Sequence, residues 1–427
     1  MSKYVIIVGY NNTRIYDVAK IRKIAQRKYD SGVILIHENP AAGDQEFADF
    51  IWRYPLVNDI ENSLMAICST IAQEKFEILG VLPFSDRGVE LALRLESKLK
   101  ALPIKCQYPR ASLDKEIFRK LDQQTTQHPQ NYQPIFSKKV FNYNDYMNVI
   151  KSFKSNVFVK PSSEGNSRGC YAVESTADAH KTWTELVCYH NQGILIETLI
   201  ENVQEYSWDY VAGTSWITDK KITHDQPVKA EIQQIVPARL STDQETIINQ
   251  TGKHMMSLIS NNHGAYHNEI FLNHINNQSF AVEVNMRPAG MHIWDLAMLA
   301  FADFNPWENW LDFCISGKTK KHHLQFRRYA GIRQIASPLR GILNNISDLA
   351  EFITPDNCKI ESIVMHKKIG DYVDNIISDN ASFIGHIILT SENYDMLEKG
   401  LIELTCQIQS KLVIVPTLPK EETEILQ

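Results

Sequence analysis

The sequence lacks several features that would define a protein class at once. Its seven cysteines are an odd number, and no two of them form a Cys-x-x-Cys pair. A disulfide framework or a structural zinc site is therefore not expected, and the cysteines are predicted to be mostly buried, reduced thiols of a cytoplasmic protein. With 18 Gly and 16 Pro in 427 residues, a collagen-like or low-complexity chain is excluded.

Long hydrophobic runs are also missing. No stretch reaches the roughly 18 uncharged apolar residues of a membrane-spanning helix. The N-terminus, MSKYVIIVGY, contains only a short apolar run that ends at Gly9, which indicates a first β-strand and not a signal peptide. No association with a membrane is predicted.

The chain has no excess of positive charge. Its 44 Lys and Arg against 50 Asp and Glu give a formal net charge of −6, so no overall basic field would recruit nucleic acid. The one basic run, 318–328, is interpreted as a solvated linker. Hydrophobic residues at 44% and charged residues at 22% are typical of a globular protein, and 427 residues correspond to two to four domains.

The first quarter of the chain alternates short apolar runs with helical patterns. The runs at 4–9, 33–37 and 78–84 are predicted strands, and this alternation favours βαβ units with a parallel sheet. A helix is predicted over 85–99, with Ser85 or Asp86 as its N-cap. We place a first α/β domain at 1–110.

The remaining chain shows mainly antiparallel patterns, so the predicted fold class is α/β followed by α+β. Strands are expected at 156–161, 170–173 and 194–198, with the first two forming a hairpin. Another hairpin is expected over 206–222. Two further strands over 265–288 are joined at Asn276-Asn277, and a helix follows at about 291–302.

The first candidate for chemistry is the loop inside the 156–173 hairpin. Lys160 ends the apolar strand, and the loop that follows contains two glycines and three hydroxyl side chains: Gly165, Gly169, Ser162, Ser163 and Ser167. Small residues allow backbone N–H groups to approach a polyphosphate, and a lysine supplies the compensating charge. A surface hairpin with a solvated lysine is the alternative interpretation.

The second candidate is a pair of glutamates on neighbouring strands. Glu283 and Asn285 stand at i and i+2 and are predicted to share one strand face, with Glu269 near Glu283 across the turn. Carboxylate and amide oxygens suit Mg²⁺ that is bound together with substrate phosphates. The alternative is a solvent-facing polar stripe on an antiparallel sheet.

Arg287 extends the same predicted face by two more residues. Its guanidinium is either one half of a structural ion pair with the glutamates, or a bidentate donor to a substrate carboxylate or a developing negative charge.

Together these segments resemble the ATP-grasp superfamily over about residues 1–390. Glu269…Glu283-Val284-Asn285-Met286-Arg287 is similar to the superfamily's metal and catalytic strand pair, and FVKPSSEGNSRG to its phosphate loop. Asp114-Lys115 resembles the pair that supplies a further phosphate-contacting lysine. ILIETLIENVQE resembles the adenine hinge, which implies adenine contacts for Glu197 and the Leu199 backbone and ribose contacts for Glu205.

The resemblance also implies an architecture and a set of ligands. The expected parts are an N-terminal α/β domain at 1–110, an ATP-grasp subdomain with the phosphate-loop lid at 111–196, a second subdomain with the metal site at 197–317, and a C-terminal lobe at 318–427. The expected cofactors are ATP and Mg²⁺, with Mn²⁺ as an alternative metal. Glu269, Glu283 and Asn285 are the implied metal ligands and Arg287 the implied catalytic residue.

Within the superfamily, Asn285-Met286-Arg287-Pro288-Ala289-Gly290 is similar to a motif of the L-amino-acid ligase group. That likeness implies a ligase that joins a carboxylate to an amine, with amino acids as its substrates and with Gly290 and His292 near the substrate. Two alternatives remain open: a carboxylase-like or purine-pathway enzyme that uses bicarbonate or formate, and a regulatory protein that only binds ATP. The partners implied are small molecules, and the oligomeric state is open between a monomer and a homodimer.

Two other patterns are rejected. His263 and His267 stand at i and i+4, but His267 lies in a predicted strand, where that spacing is about 13 Å, so zinc is not expected. Thr251-Gly252-Lys253 lacks the upstream glycine of a P-loop.

Overall fold

The computed structural model describes residues 2–10, 14–104, 106–165, 168–223, 229–260, 264–346 and 352–417. The N-terminal part is the predicted parallel sheet, with strand order β3-β2-β1-β4. Its strands and helices are β1 Lys3–Val8, α1 Ile15–Tyr29, β2 Gly32–His37, β3 Phe50–Arg53, α2 Ile60–Glu74, β4 Glu77–Pro83 and α3 Val89–Lys100.

The start of α3 differs from the sequence-based prediction. The helix begins at Val89 and follows a short 3-10 turn at Asp86–Gly88, and the side chain of neither predicted cap makes a capping hydrogen bond. The Asp86 carboxylate instead accepts a hydrogen bond from Arg287, 201 residues later in the chain. A tertiary ion pair has therefore replaced the local cap, and such a pair cannot be predicted from the spacing of residues in the sequence.

The next part is a small antiparallel sheet with strand order β5-β8-β6-β7. It carries the predicted hairpin of β6 and β7, and three helices surround it. The elements are α4 Lys115–Gln124, β5 Ser137–Val140, α5 Tyr143–Ser152, β6 Val157–Pro161, β7 Tyr171–Val173, α6 Thr176–Glu185 and β8 Ile194–Thr198.

The largest sheet has eight strands in the order β13-β12-β9-β10-β11-β16-β20-β18. It runs continuously across the predicted boundary at 317/318, because β11 pairs with β16. Its elements and their neighbours are β9 Gln204–Val211, β10 Thr214–Ile222, β11 Glu231–Val236, α7 Thr242–Ile259, β12 Ala265–Asn273, β13 Gln278–Glu283, β16 Tyr329–Ile335, β18 Lys359–Met365, β20 Gly385–Ser391 and α10 Tyr394–Lys411.

The remaining elements connect and extend this sheet. Helices α8 and α9 precede the basic run 318–328, and three short strands form a separate sheet in the order β19-β17-β21. These elements are α8 Ile293–Ala300, β14 Phe301–Ala302, α9 Pro306–Ser316, β15 Gln325–Phe326, β17 Gly341–Asn345, β19 Tyr372–Val373 and β21 Val413–Pro416.

Strand β13 is shorter than the sequence predicted. It ends at Glu283, so Asn285 and Arg287 lie beyond it in an irregular segment, and the prediction that all three line one strand face is wrong. The segment stays close to β12 because His267 exchanges two hydrogen bonds with Asn285: His267 N–H donates to Asn285 C=O, and Asn285 Nδ2 donates to His267 C=O. Asn285 and Glu283 therefore remain neighbours without a strand ladder.

One hydrophobic core joins the N-terminal sheet to the segment after Arg287. Phe84 at the end of β4 packs against Trp307 and Trp310 of α9, with ring centroids 6.1 and 5.9 Å apart. Trp294 of α8 lies 4.6 Å from Trp307 and is fully buried. This packing fixes the N-terminal sheet beside the residues predicted to be functional. None of the helices in the described ranges has the length and apolar composition needed to cross a membrane.

We expect Gly252→Ala to destabilise the protein. Gly252 lies in α7, where an added Cβ would stand 2.2 Å from Cδ2 of the buried Trp208 ring. Overpacking of this kind costs roughly 1–3 kcal/mol, which outweighs the roughly 0.5–1 kcal/mol that alanine normally contributes inside a helix. Gly43→Ala is the matched control, because nothing lies within 4 Å of its added Cβ. Urea unfolding measures both, and equal stability of the two variants would contradict the prediction.

Candidate active site

A single large cleft of about 1620 Å³ lies between the N-terminal sheet, the small antiparallel sheet, the eight-stranded sheet and the C-terminal lobe. The structure brings most of the sequence-predicted site residues together on its walls. These are Lys115, Lys160, Ser163, Gly165, Glu197, Leu199, Glu205, Glu269, Glu283, Asn285, Arg287, Gly290 and His292. Their assembly from all parts of the chain is what the resemblance implied.

Two predicted residues do not line the cleft. Ser162 is fully buried, and its hydroxyl donates to Asp114. It therefore links the loop to the start of α4 and does not face the cleft. Gly169 has φ +67° and packs under Leu186 and Pro161, which makes it a conformational residue of the loop. Ser167 and His263 lie outside the described residues.

Lys160 forms a buried ion pair with Glu197. The Lys160 Nζ–Glu197 Oε2 distance is 2.7 Å, and Arg119 of α4 donates from Nε to the other carboxylate oxygen at 2.6 Å. Burial disfavours the Glu197 carboxylate, but the two cations outweigh it and lower its pKa to about 2. This arrangement fixes the Lys160 ammonium at the cleft wall in place of the solvated lysine of the alternative interpretation.

Lys115 lies between the phosphate-loop region and the predicted metal ligands Glu269, Glu283 and Asn285, which together are called the metal face. It is the first residue of α4, whose N-cap Asp114 accepts from the Glu116 N–H. Its Nζ donates to the Glu164 carbonyl at 2.5 Å and lies 3.4 Å from Glu283 Oε1. Burial opposes the ammonium, but Glu283 raises the pKa of Lys115, so the lysine stays charged. The cleft therefore holds two fixed ammonium groups, Lys115 and Lys160.

The hinge predicted to meet an adenine follows β8. The Leu199 N–H already donates to the Asn156 carbonyl at 3.1 Å, so only its carbonyl is left to meet a ligand. Leu199 and Ile200 line the cleft between Glu197 and Glu205. The predicted nucleotide contacts of this segment stay predictions.

Glu205 belongs to a charge cluster that sequence reasoning missed. Lys220 of β10 is fully buried, and its Nζ lies 2.6 Å from Glu205, 2.5 Å from Glu231 and 2.6 Å from Glu269. Burial raises the pKa of Glu205 to about 7, against the effect of Lys220. One ammonium thus pairs with carboxylates from β9, β11 and β12, and these three groups are close enough together to hold a cation.

Glu269 has a second cationic neighbour in His267. The His267 Nδ1 lies 2.8 Å from Asp209 Oδ1 and its Nε2 lies 3.7 Å from Glu269 Oε1. Burial would lower the pKa of His267, but the Asp209 carboxylate outweighs it and raises this pKa to about 9. The imidazole is therefore protonated at neutral pH and serves as an ion-pair partner, which agrees with the rejection of a zinc role.

Glu283 and Asn285 have the unsatisfied oxygens that a metal site requires. Asn285 is 1% exposed, and its Oδ1 is buried with no hydrogen-bond partner in the described part of the chain. Burial raises the pKa of the Glu283 carboxyl, and Lys115 only partly opposes this. An orphaned amide oxygen beside an incompletely paired carboxylate fits a hard divalent cation such as Mg²⁺.

Arg287 is held at the far end of this metal face. Its Nε donates to Asp86 Oδ2 at 3.0 Å and its Nη1 to the Pro288 carbonyl at 3.3 Å. The ion pair expected with the glutamates is thus made with an aspartate of the N-terminal domain. Beyond Arg287, Gly290 and His292 line the cleft, and His292 Nδ1 lies 2.8 Å from Asp295 Oδ2.

Several cleft residues had weak or no sequence signals. Arg119 follows Lys115 by one helical turn, so the helical spacing could have indicated it. Lys220 stands between Asp219 and Lys221, and Glu231 between Ala230 and Ile232, and both patterns are ordinary for strands that face solvent. His366 and His386 belong to β18, β20 and their connection, and only the pairing of these strands brings them to the cleft.

Comparison with known proteins adds to this geometry. The family described as "D-ala D-ala ligase C-terminus" matches residues 128–300. No curated protein sequence matches the chain.

Solved structures match the chain over nearly its whole length. An L-amino acid ligase from Bacillus licheniformis has 16% identity and a TM-score of 0.76, covering 98% of this chain and 99% of that one. A phosphoribosylglycinamide synthetase from Anaerococcus prevotii has 15% identity, a TM-score of 0.64, and coverage of 97% and 100%. An N5-carboxyaminoimidazole synthetase from Staphylococcus aureus, complexed with ADP, has 13% identity, a TM-score of 0.67, and coverage of 95% and 97%.

These matches define the fold of the protein. The chain has the ATP-grasp fold that its motifs predicted. The predicted fold class is likewise confirmed.

We expect Lys220→Met to destabilise the protein in a strongly pH-dependent way. Removing one partner of a buried ion pair costs about 3–5 kcal/mol. Lys220 lowers the pKa values of Glu205 and Glu269. Without its ammonium these pKa values rise, so the folded state holds protons that the unfolded chain releases above about pH 4.3. The unfolding free energy of Lys220→Met should therefore lie below that of the parent by the smallest amount near pH 5, and this difference should grow towards pH 8.

Lys221→Met is the matched control for this prediction. Lys221 is the next residue of β10, but its side chain is 40% exposed and pairs with Glu398 at the surface. Urea unfolding in EDTA at pH 5, 6.5 and 8 compares the two variants with the parent. A Lys220→Met deficit that does not change with pH would show that the cluster is not held by charge.

Proposed function

We propose that this chain is an ATP-dependent carboxylate–amine ligase that joins amino acids through an acylphosphate, with release of ADP and phosphate. One observation carries the proposal: a face of oxygen ligands lies in a single cleft between two fixed ammonium groups and a guanidinium. This is the order of charges that an ATP phosphate chain and an activated carboxylate need.

The nucleotide would occupy the half of the cleft between the small antiparallel sheet and the eight-stranded sheet. Lys115 and Lys160 are fixed by their own ion pairs, so they can meet phosphate oxygens without a large loss of side-chain freedom. Glu205 and the Leu199 carbonyl would face the nucleoside. The likeness to a synthetase complexed with ADP supports this assignment.

The metal would be held by Glu283 and Asn285, with Glu269 as a further ligand. When bound, Mg²⁺ would offset the charge of the phosphates during transfer. Glu269 is already paired with Lys220 and His267, so these two cations orient its carboxylate towards the shared face. Mn²⁺ has the same preference for oxygen ligands and would also fit.

Arg287 would act on the carboxylate substrate. A carboxylate oxygen attacks the γ-phosphorus of ATP, ADP leaves, and an amine then displaces phosphate from the acyl carbon as the amide forms. The Arg287 guanidinium, oriented by Asp86, would stabilise the acylphosphate and the oxyanion of the tetrahedral intermediate. No covalent nucleophile of the protein is required.

The choice of amino acids as substrates is supported by the Asn285–Gly290 motif and by the full-length likeness to an L-amino acid ligase. The likeness to an N5-carboxyaminoimidazole synthetase favours one competing proposal, in which the acid is bicarbonate. A dependence of ADP release on bicarbonate, and not on amino acids, would favour that competing activity.

The test of the proposed function is phosphate release over a matrix of amino-acid pairs with ATP and Mg²⁺, with the products identified by mass spectrometry. Glu283→Gln is the control, because it keeps the size of the side chain and removes the metal-binding charge. We expect the parent to form dipeptides and Glu283→Gln to lose at least about 10²-fold in turnover, since metal stabilisation amounts to several kcal/mol. ATP binding without turnover of any pair would favour a regulatory protein.

We expect Arg287→Lys to fail nearly as badly as Arg287→Ala. Loss of one preorganised donor typically costs about 10²–10³ in rate, and an ammonium cannot reproduce the bidentate fork. Nucleotide affinity should change little, because Lys115 and Lys160 stay in place. Amide formation and nucleotide binding are measured for both variants, and a parallel collapse of binding and turnover would show that Arg287 holds phosphate instead.

A further inference from the structure

A second guanidinium lies beside Arg287 at the end of the cleft. Arg14, which directly precedes α1, donates from Nη1 to the Pro288 carbonyl at 3.0 Å, the same oxygen that Arg287 Nη1 approaches at 3.3 Å. Both side chains line the cleft. The N-terminal domain therefore places a cation next to the predicted catalytic arginine, and nothing in the sequence motifs pointed to it.

This end of the cleft holds buried polar atoms that have no hydrogen-bond partner in the described part of the chain. Arg14 Nη2 is buried without a hydrogen bond within the described ranges, and so is the hydroxyl of Tyr10. Tyr10 is only 3% exposed and also lines the cleft. Buried donors of this kind are normally satisfied, so two of them beside one cavity indicate a ligand with acceptor oxygens.

The position of Arg14 is fixed by the fold. Its guanidinium lies over the Phe84 ring, 4.7 Å from the centroid, and its Nε donates to Asp17 at 3.0 Å. Asp17 also pairs with Lys20, which reaches Asp295, the partner of His292. The chain of ion pairs joins α1 to the segment after Arg287, so the two guanidinium groups keep a constant spacing.

Each of the two guanidinium groups at this end of the cleft has one carboxylate partner, Asp17 for Arg14 and Asp86 for Arg287. Burial lowers the pKa of Arg14 and the neighbouring Arg287 adds to this effect, while Asp17 opposes it. The Asp86 Oδ1 is buried and has no hydrogen-bond partner within the described residues. Two adjacent cations in a confined space gain most from a planar anion that accepts from a guanidinium fork.

We propose that Arg14 binds the free carboxylate of the amine-donating substrate, which makes that substrate an amino acid. This inference rests on the proposed ligase activity and specifies the acceptor side of the same site. The carboxylate to be activated has to reach the metal face, which Arg287 adjoins. Arg14 contacts the Pro288 carbonyl from the wall of the cleft that the N-terminal domain forms. A carboxylate bound there is not the one that is activated, so it stays intact in the product.

The first experiment measures binding without turnover. Amino acids and their primary amides are titrated calorimetrically into the protein with Mg²⁺ and a non-hydrolysable ATP analogue. We expect the parent to bind an amino acid about 10- to 100-fold more tightly than its amide, the range of a charged hydrogen bond, and Arg14→Gln to lose this preference. Arg22→Gln is the matched control, because Arg22 lies in α1, the helix that Arg14 precedes, and pairs with Asp49 away from the cleft.

The second experiment measures ligation with amides as acceptors. An amino-acid amide has no carboxylate to activate, so it reports the acceptor side alone. We expect its KM in the parent to exceed that of the free amino acid by the same 10- to 100-fold, with little change in kcat, and the two KM values to become equal in Arg14→Gln. If that variant does not fold, Arg14→Lys should show a reduced preference, because it keeps the charge and loses the fork.

The possible outcomes separate this inference from the proposed function. A carboxylate preference that persists in Arg14→Gln, or is absent from the parent, overturns the role of Arg14 even if dipeptides form. Absence of binding by every amino acid overturns it as well. A preference in the binding experiment that Arg14→Gln abolishes, without any amide product, supports the carboxylate site while the ligase activity fails.

Discussion

The cleft depends on the compensation of buried carboxylates by cations from other elements. Glu269 and Glu283 face each other across β12 and β13, a like-charge pair that is unfavourable in a confined space. Lys220 from β10 neutralises the first and Lys115 from α4 lies beside the second. Glu197 needs Arg119 and Lys160 in the same way. The burial of these carboxylates is therefore compensated only while the surrounding sheets and helix are assembled.

The sequence predicts the residues with the strongest local constraints. The apolar runs of β1, β2 and β4 and the turn at Asn276-Asn277 lie within one or two residues of their predicted positions, because strand periodicity and turn chemistry are local. The assembly of Lys160, Glu283 and Arg287 in one cleft followed from the resemblance. Their mutual contacts could not be derived from any single segment.

The prediction failed where a distant partner decides the conformation. Asp86 has the residue type of a helix cap but pairs with Arg287, and β13 ends at Glu283 because Asn285 bonds to His267 outside the ladder. Lys220 occupies an ordinary strand position, and its burial among three glutamates follows from strand pairing alone. Local rules cannot anticipate a tertiary ion pair, so these positions were missed or misassigned.

The tryptophan-rich core also affects how the chain can fold during synthesis. Phe84 of the N-terminal sheet is covered by Trp307 and Trp310, which are made more than 200 residues later. Until those residues leave the ribosome, the apolar surface around Phe84 is uncovered, although α1 already packs on the same face of the sheet. The long loop that finally closes this part of the core carries an entropic cost. The N-terminal domain is first in the chain but completes its core late, so chaperone binding to the nascent protein would be concentrated on that face.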